Sequence, residues 1–229
     1  MRTEARRERV LTASPDSVQQ IDTVSSASVA TNVSTPASIV ARPPAFRMLI
    51  VGAVAILGLA WDLWTKQQVF AQLGPQGTYP VWSGQILGMS IRFQLETTFN
   101  FGALWGMGQG KSWLFASLSV VALSAIAYFL WTRQAIASRW LTTITGLLLA
   151  GTLGNLFDRL ALHGWKDGNG RAVYAVRDFL DFYFFNDSFH WATFNFADCY
   201  LVVGACMLAL HSFWVGDPDP KSALEKPST

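Results

Sequence analysis

The sequence predicts an all-α membrane protein of four transmembrane helices, with a small β-sheet cradle in the first outer loop. Three observations carry that prediction. The 229-residue chain is 51% hydrophobic and only 14% charged, with a mean hydropathy of +0.28, far more apolar than a soluble domain. It contains four apolar runs, at 48–64, 113–131, 141–160 and 191–214, of the order needed to cross a bilayer core. Between the first two runs, "MSIRFQLETT" alternates Ile91, Phe93 and Leu95 with Arg92, Gln94 and Glu96, the period of a half-buried strand. The formal net charge of +2 is small and the basic residues are scattered, so no nucleic-acid partner is indicated.

Residues 1–45 are rich in Ser, Thr, Ala and Val and open with Arg2, Arg6, Arg7 and Arg9. No helical or strand period is sustained there, which predicts a disordered cytoplasmic tail. No apolar stretch follows the early arginines, so the run at 48–64 is expected to act as an uncleaved signal anchor. Arg42 and Arg47 precede it and orient the N-terminus inward. The short loop with Arg133 and Arg139, and the C-terminal tail at 217–229 with Lys221 and Lys226, fall on the same side. Both termini are therefore expected in the cytoplasm, flanking a membrane domain at 46–216. Tryptophans Trp61, Trp64, Trp113, Trp131, Trp140, Trp191 and Trp214 mark span ends, where an amphipathic ring sits at headgroup level.

"TYPVWSG" adds β-branched and aromatic residues ahead of the alternating strand, and a small sheet on the outer surface follows. The loop between the third and fourth spans carries the turn-forming "HGWKDGNGRA" and then "VRDFLDFYFF", where carboxylates return toward the membrane.

The polar residues of the spans are the informative ones. Asp62 and Lys66 are four apart, spaced for an intrahelical ion pair. Asn100 precedes the second span, Asn155, Asp158 and Arg159 close the third, and Asn195 and Asp198 begin the fourth. Taken singly, each has an ordinary reading: Lys66 can snorkel, Asp158 and Arg159 can pair, and the asparagines can bond between helices. Asp198 resists such a reading. Seven residues past Trp191, it is expected roughly 10 Å along the helix at 1.5 Å per residue, and a short aspartate at that depth is costly. All four clusters also share one side of the membrane, which predicts a common polar site at the outer boundary.

No serine stands in a nucleophile elbow, and neither Cys199 nor Cys206 has a histidine at a matched spacing. The two cysteines lie on one helix and read as packing residues. His163, His190 and His211 are too scattered for a metal cage, and His190 reads as interfacial. Asp178 and Asp198 bracket a compact outer segment and could face each other. Two close carboxylates share a proton, leaving one to activate water and one to act as acid, which is aspartyl hydrolysis.

"WDLWTK", "NFGALWG", "GNLFDRL", "VRDFLDFY" and "FNFAD", in that order on a four-span plan, resemble lipoprotein signal peptidase, the bacterial signal peptidase II. The likeness covers about residues 46–214. It implies an intramembrane aspartyl endopeptidase of the bacterial inner membrane, active at its outer face. Such an enzyme cuts lipid-modified prolipoproteins on the amino side of a diacylglyceryl cysteine, needs no cofactor, and has a surface sheet that cradles substrate. By motif, Asp178 and Asp198 match the catalytic pair. Asn195, Asn155 and Arg159 match residues that position the pair and the substrate backbone, while Asp62, Lys66, Asn100 and Gly151 match other family positions. Spacing alone does not separate Asp178 from Asp181, which lie three apart; the resemblance favours Asp178.

The sequence departs from the family in a longer stretch between Arg159 and Asp178, in Arg177 where the family usually has valine, and in its N-terminal tail. Two other classes make contrary predictions. An ion or proton transporter would show inverted repeats with polar groups near the midplane, whereas no repeat is evident and the polar groups lie to one side. A non-catalytic membrane scaffold would need neither aspartate.

Overall fold

The computed structural model describes residues 45–102, 110–132, 134–136 and 138–214. The expected tail at 1–44, Arg42, Arg133, and the segment 215–229 with Lys221 and Lys226 lie outside the described residues. Four helices have the length and apolarity to cross a membrane. They are α1 (Phe46–Leu73), α2 (Ser112–Trp131), α3 (Arg139–Arg159) and α4 (Phe196–Trp214). The second and third agree with the expected spans to within two residues.

The first does not. Helix α1 continues nine residues beyond Trp64, because polar residues there are partnered rather than helix-ending. Thr65 bonds back to the Trp61 carbonyl at 2.9 Å, Lys66 pairs with Asp62 at 2.8 Å, and Phe70, fully buried, packs on Phe99 and Trp165. Gly74, at φ +69° and ψ −174°, ends the helix and returns its N–H to the Phe70 carbonyl, a positive-φ stop that glycine adopts cheaply.

Helix α3 is the central post, packing against α1, α2 and α4. Small residues allow the approach. A Cβ on Gly151 would lie 2.5 Å from the Ala197 carbonyl oxygen of α4, so only glycine admits that contact, as expected where membrane helices pack backbone to backbone. At the end of the bundle away from the sheet, the Arg47 guanidinium donates to the Ile136 carbonyl at 2.8 Å, tying α1 to the turn before α3.

The sheet is larger than the sequence predicts. Strands β1 (Thr78–Ile86) and β2 (Met89–Asn100) come from the loop between α1 and α2 as expected, but β3 (Val176–Phe184) and β4 (Phe189–Phe194) come from the loop between α3 and α4. All pair antiparallel in the order β1-β2-β3-β4. "VRDFLDFYF" shows no clean alternation because its first half is buried throughout, as in a strand covered on both faces. Trp191 accordingly belongs to β4, and the fourth helix begins five residues later than its apolar run.

Candidate active site

Helix α4 starts where it does because Asn195 caps it. The Asn195 side-chain oxygen accepts from the Asp198 backbone N–H at 3.1 Å, and Asp198 Oδ2 accepts from the Asn195 backbone N–H at 3.1 Å. This is the reciprocal arrangement of a capping box. Asp198 therefore stands in the first turn of α4, not 10 Å into the span. The positive end of the helix dipole complements a carboxylate there.

Asp178 approaches from β3. An irregularity between Leu95 and Thr98 sets Asp178 opposite Thr98 and brings the end of β2 alongside. Asp178 is 1% exposed. Its Oδ1 accepts from the Asn195 amide at 2.5 Å and its Oδ2 from the Asn100 amide at 3.0 Å. Burial, and after it the Asp198 carboxylate, push its carboxyl well above the usual range; the two amides oppose that shift. Asn195 thus touches both aspartates, one through its side chain and the other through its backbone. Asn155 completes the bridge, donating to Asp198 Oδ1 at 2.7 Å while its oxygen accepts from Asn195 at 3.2 Å and from Lys66 at 3.2 Å.

Beneath the pair lies a buried charge quartet. Lys66, fully buried, is 2.8 Å from Asp62 and 3.1 Å from Asp158. Asp62 also accepts from the Ala197 N–H of α4 at 2.9 Å, satisfying a donor that the helix start leaves unpaired. Asp158 receives Arg177 three times, from its backbone N–H at 3.0 Å, Nε at 3.1 Å and Nη2 at 2.8 Å. Two cations and two carboxylates cancel, which is the condition for burying them.

The structure brings together Asp178, Asp198, Asn100, Asn155, Asn195, Lys66 and Asp62, and sets Gly151 behind α4. It corrects three expectations. Asp158 pairs with Lys66 and Arg177, not with its neighbour Arg159, because successive residues on a helix face apart. Arg159, half-buried, instead extends its guanidinium over Phe115 at 5.6 Å, within the fields of Asp198 and Asp178. His190 is not merely interfacial, since its Nε2 lies 2.5 Å from Asp181. Asp181, fully buried, also accepts from Gln94 at 2.8 Å. Its partners lie on the sheet and are not shared with Asp178, so the two candidates are separated by strand geometry that a helical reading cannot supply. The anchoring roles of Arg177 and Gln94 leave no local signal: both partners are remote in sequence.

Two carboxylates, Asp178 buried and Asp198 partly exposed, stand at one end of a four-helix membrane bundle, held by amides beside a sheet, and define a polar site within a membrane protein. Comparison with known proteins is specific. The family model described as Signal peptidase (SPase) II matches residues 54–214, and the chain belongs to that family of peptidases. A lipoprotein signal peptidase of Rhodopirellula baltica is 40% identical over 171 residues, covering 74% of each chain. One from Oleidesulfovibrio alaskensis is 34% identical over 72% of this chain and 94% of its own. Two solved bacterial membrane enzymes share the fold. One has a TM-score of 0.55 at 21% identity, covering 80% of this chain and 93% of its own. The other has a TM-score of 0.53 at 24% identity, covering 76% and 94%.

Proposed function

We propose that this chain removes the signal peptide from diacylglyceryl-modified prolipoproteins, with Asp178 and Asp198 as the catalytic pair. The observation that carries the reading is Asn195, which links the two carboxylates while capping the helix that bears one of them. Asp178, whose raised carboxyl retains its proton, is the acid; Asp198, at the helix N-terminus, is the base. Asp198 takes a proton from water as its oxygen adds to the scissile carbonyl, and the Asp178 proton goes to the carbonyl oxygen. When the C–N bond breaks, the departing amine takes a proton from the pair. Arg159, Asn155 and Asn100 position the substrate backbone and the carboxylates, and Lys66 with Asp62 supports them from below.

A substrate anchored by acyl chains delivers its cleavage site at the membrane boundary, which accounts for carboxylates at that depth. In this reading the protein lies in a bacterial inner membrane with the site outward and both termini inward. Segments at 1–45 and 217–229 flank a peptidase domain at 46–216. The test is to incubate the full chain, in lipid bilayers, with a diacylglyceryl-modified precursor. The shortened product is expected, and the same precursor without lipid should remain intact. A reporter fused near Gly168 should be external; a cytoplasmic result would overturn the orientation.

A further inference from the structure

The two hairpin tips of the sheet carry the wrong residues for water. The β1–β2 turn is Leu87–Gly88, at φ +52° and +80°, a two-residue turn with both positions left-handed, for which Asn-Gly is the favoured pair. Leucine is a poor choice there on backbone grounds, and its side chain is fully exposed. The β3–β4 turn repeats the anomaly with Phe185, at φ +54° and 57% exposed. The tips adjoin, since the Phe185 N–H donates to the Ser90 carbonyl at 2.9 Å. The nearby charge of Asp187 is paired with Arg92 at 3.1 Å.

The apolar surface does not stop at the tips. The register aligns Trp82, Phe93, Phe182 and Trp191 across the sheet, while Arg92, Tyr183 and His190 align on its other face. Trp82, Trp191, Phe189 and Ile86 are each exposed. Strand β4 passes to α4 through Asn195 alone, so this apolar face is continuous with the outer boundary of the four spans. A surface that joins the bilayer boundary at one end and ends in two tips each led by a left-handed apolar residue, with the Asp187 charge of the second tip paired to Arg92, matches a lipid partner, which covers the exposed apolar side chains.

We infer that Leu87 and Phe185 insert into the outer leaflet and anchor the free end of the sheet to lipid. The test places a nitroxide on Leu87→Cys, and separately on Phe185→Cys, in the full chain with Cys199 and Cys206 replaced by alanine. The protein is reconstituted in phosphatidylcholine–phosphatidylglycerol vesicles, and collisions with oxygen are compared with those of a water-soluble nickel chelate. Gly168→Cys, in an exposed turn, is the aqueous reference. The oxygen-to-nickel ratio at both tips should exceed that at position 168 several-fold, independently of protein-to-lipid ratio. A ratio equal to the reference overturns the inference. So does a lipid-like ratio that appears only after a lipid-modified precursor is added, since the occupant is then substrate, or only at high protein density, since it is then a second copy. The measurement needs no turnover and stands apart from the proteolytic reading.

Discussion

Replacing Asp178 with asparagine tests the assignment of the pair most directly. The change keeps shape but removes the transferable proton, and loss of general acid–base function costs about 10²–10⁴-fold, or about 3–5 kcal/mol of barrier at 1.36 kcal/mol per tenfold. The structure adds a second cost. Both Asp178 oxygens accept amide donors, from Asn195 and Asn100. An asparagine offers one acceptor and one NH₂ group, so one of those donors must face another donor, at a further cost of about 1–3 kcal/mol in stability. Asp178→Asn should therefore be inactive and modestly less stable. Asp198→Asn should be inactive too, and the double variant barely worse than either, because groups acting as a unit are not additive. Asp181→Asn should retain measurable turnover, because its partners are Gln94, His190 and Thr193 of the sheet. The assay is gel separation of product from a lipid-modified precursor in bilayers, with thermal unfolding of each variant alongside. Wild-type rates in Asp178→Asn with a dead Asp181→Asn would move the site along β3. Wild-type rates in Asp198→Asn would end the aspartyl mechanism.

Four further outcomes follow from the same contacts. Asp178 binds its proton more tightly folded than unfolded, so its contribution to stability is complete below about pH 3.9 and is lost as pH rises through its higher folded value; denaturation midpoints against pH should flatten across that window in Asp178→Asn. Asn195→Ser preserves an N-cap of similar quality but drops the amide donors to buried Asp178 and Asn155, so stability should fall by about 1–3 kcal/mol and turnover at least tenfold; full turnover would show the bridge to be incidental. Lys66→Met leaves Asp62 without its cation and Asp158 with Arg177 alone, and should destabilise by about 3–5 kcal/mol, read by thermal unfolding in detergent. Gly151→Ala drives a methyl into the Ala197 backbone, whereas Gly52 has open space around it; the first should lose activity and the second should not, measured by the same cleavage assay.

The spans were legible because a bilayer imposes a length and a composition that a sequence must display. The site was legible only as a set. Asn100, Asn155 and Asn195 are each ordinary taken singly, Asp198 is not, and their common side of the membrane is the signal. What stayed hidden was whatever depends on pairing between remote segments. Strand β3 shows no alternation because its first half is buried throughout, so its partnership with β2 left no pattern to read. The sequence places Asp198 too deep because the apolar run at 191–214 holds both a strand and a helix, and the single Asn195 that divides them is not distinguishable by sequence from a polar residue within one span. Arg177 was visible as a departure from the family, but its role depends on Asp158, nineteen residues away along the chain.

The two carboxylates differ in what holds them, and the proposed mechanism rests on that difference to assign one as acid and the other as base. Asp198 belongs to a helix start, where backbone N–H groups and the dipole already supply positive potential. Asp178 belongs to a strand, which offers no such field, and sits 1% exposed beside another carboxylate. Its two amide donors soften that environment without cancelling it. Lys66 is paired with Asp62 and Asp158 and hydrogen-bonds toward the pair through Asn155, while its charge also opposes the upward shift at Asp178 without overcoming burial and the Asp198 carboxylate. The quartet below holds α1, α3 and β3 together with most of its charge satisfied internally. A lysine bonded directly to Asp178 would favour its ionised form and remove the acid. The intervening asparagines hold the aspartates in place with neutral donors, so that the cation's effect on Asp178 stays secondary to burial and the Asp198 carboxylate.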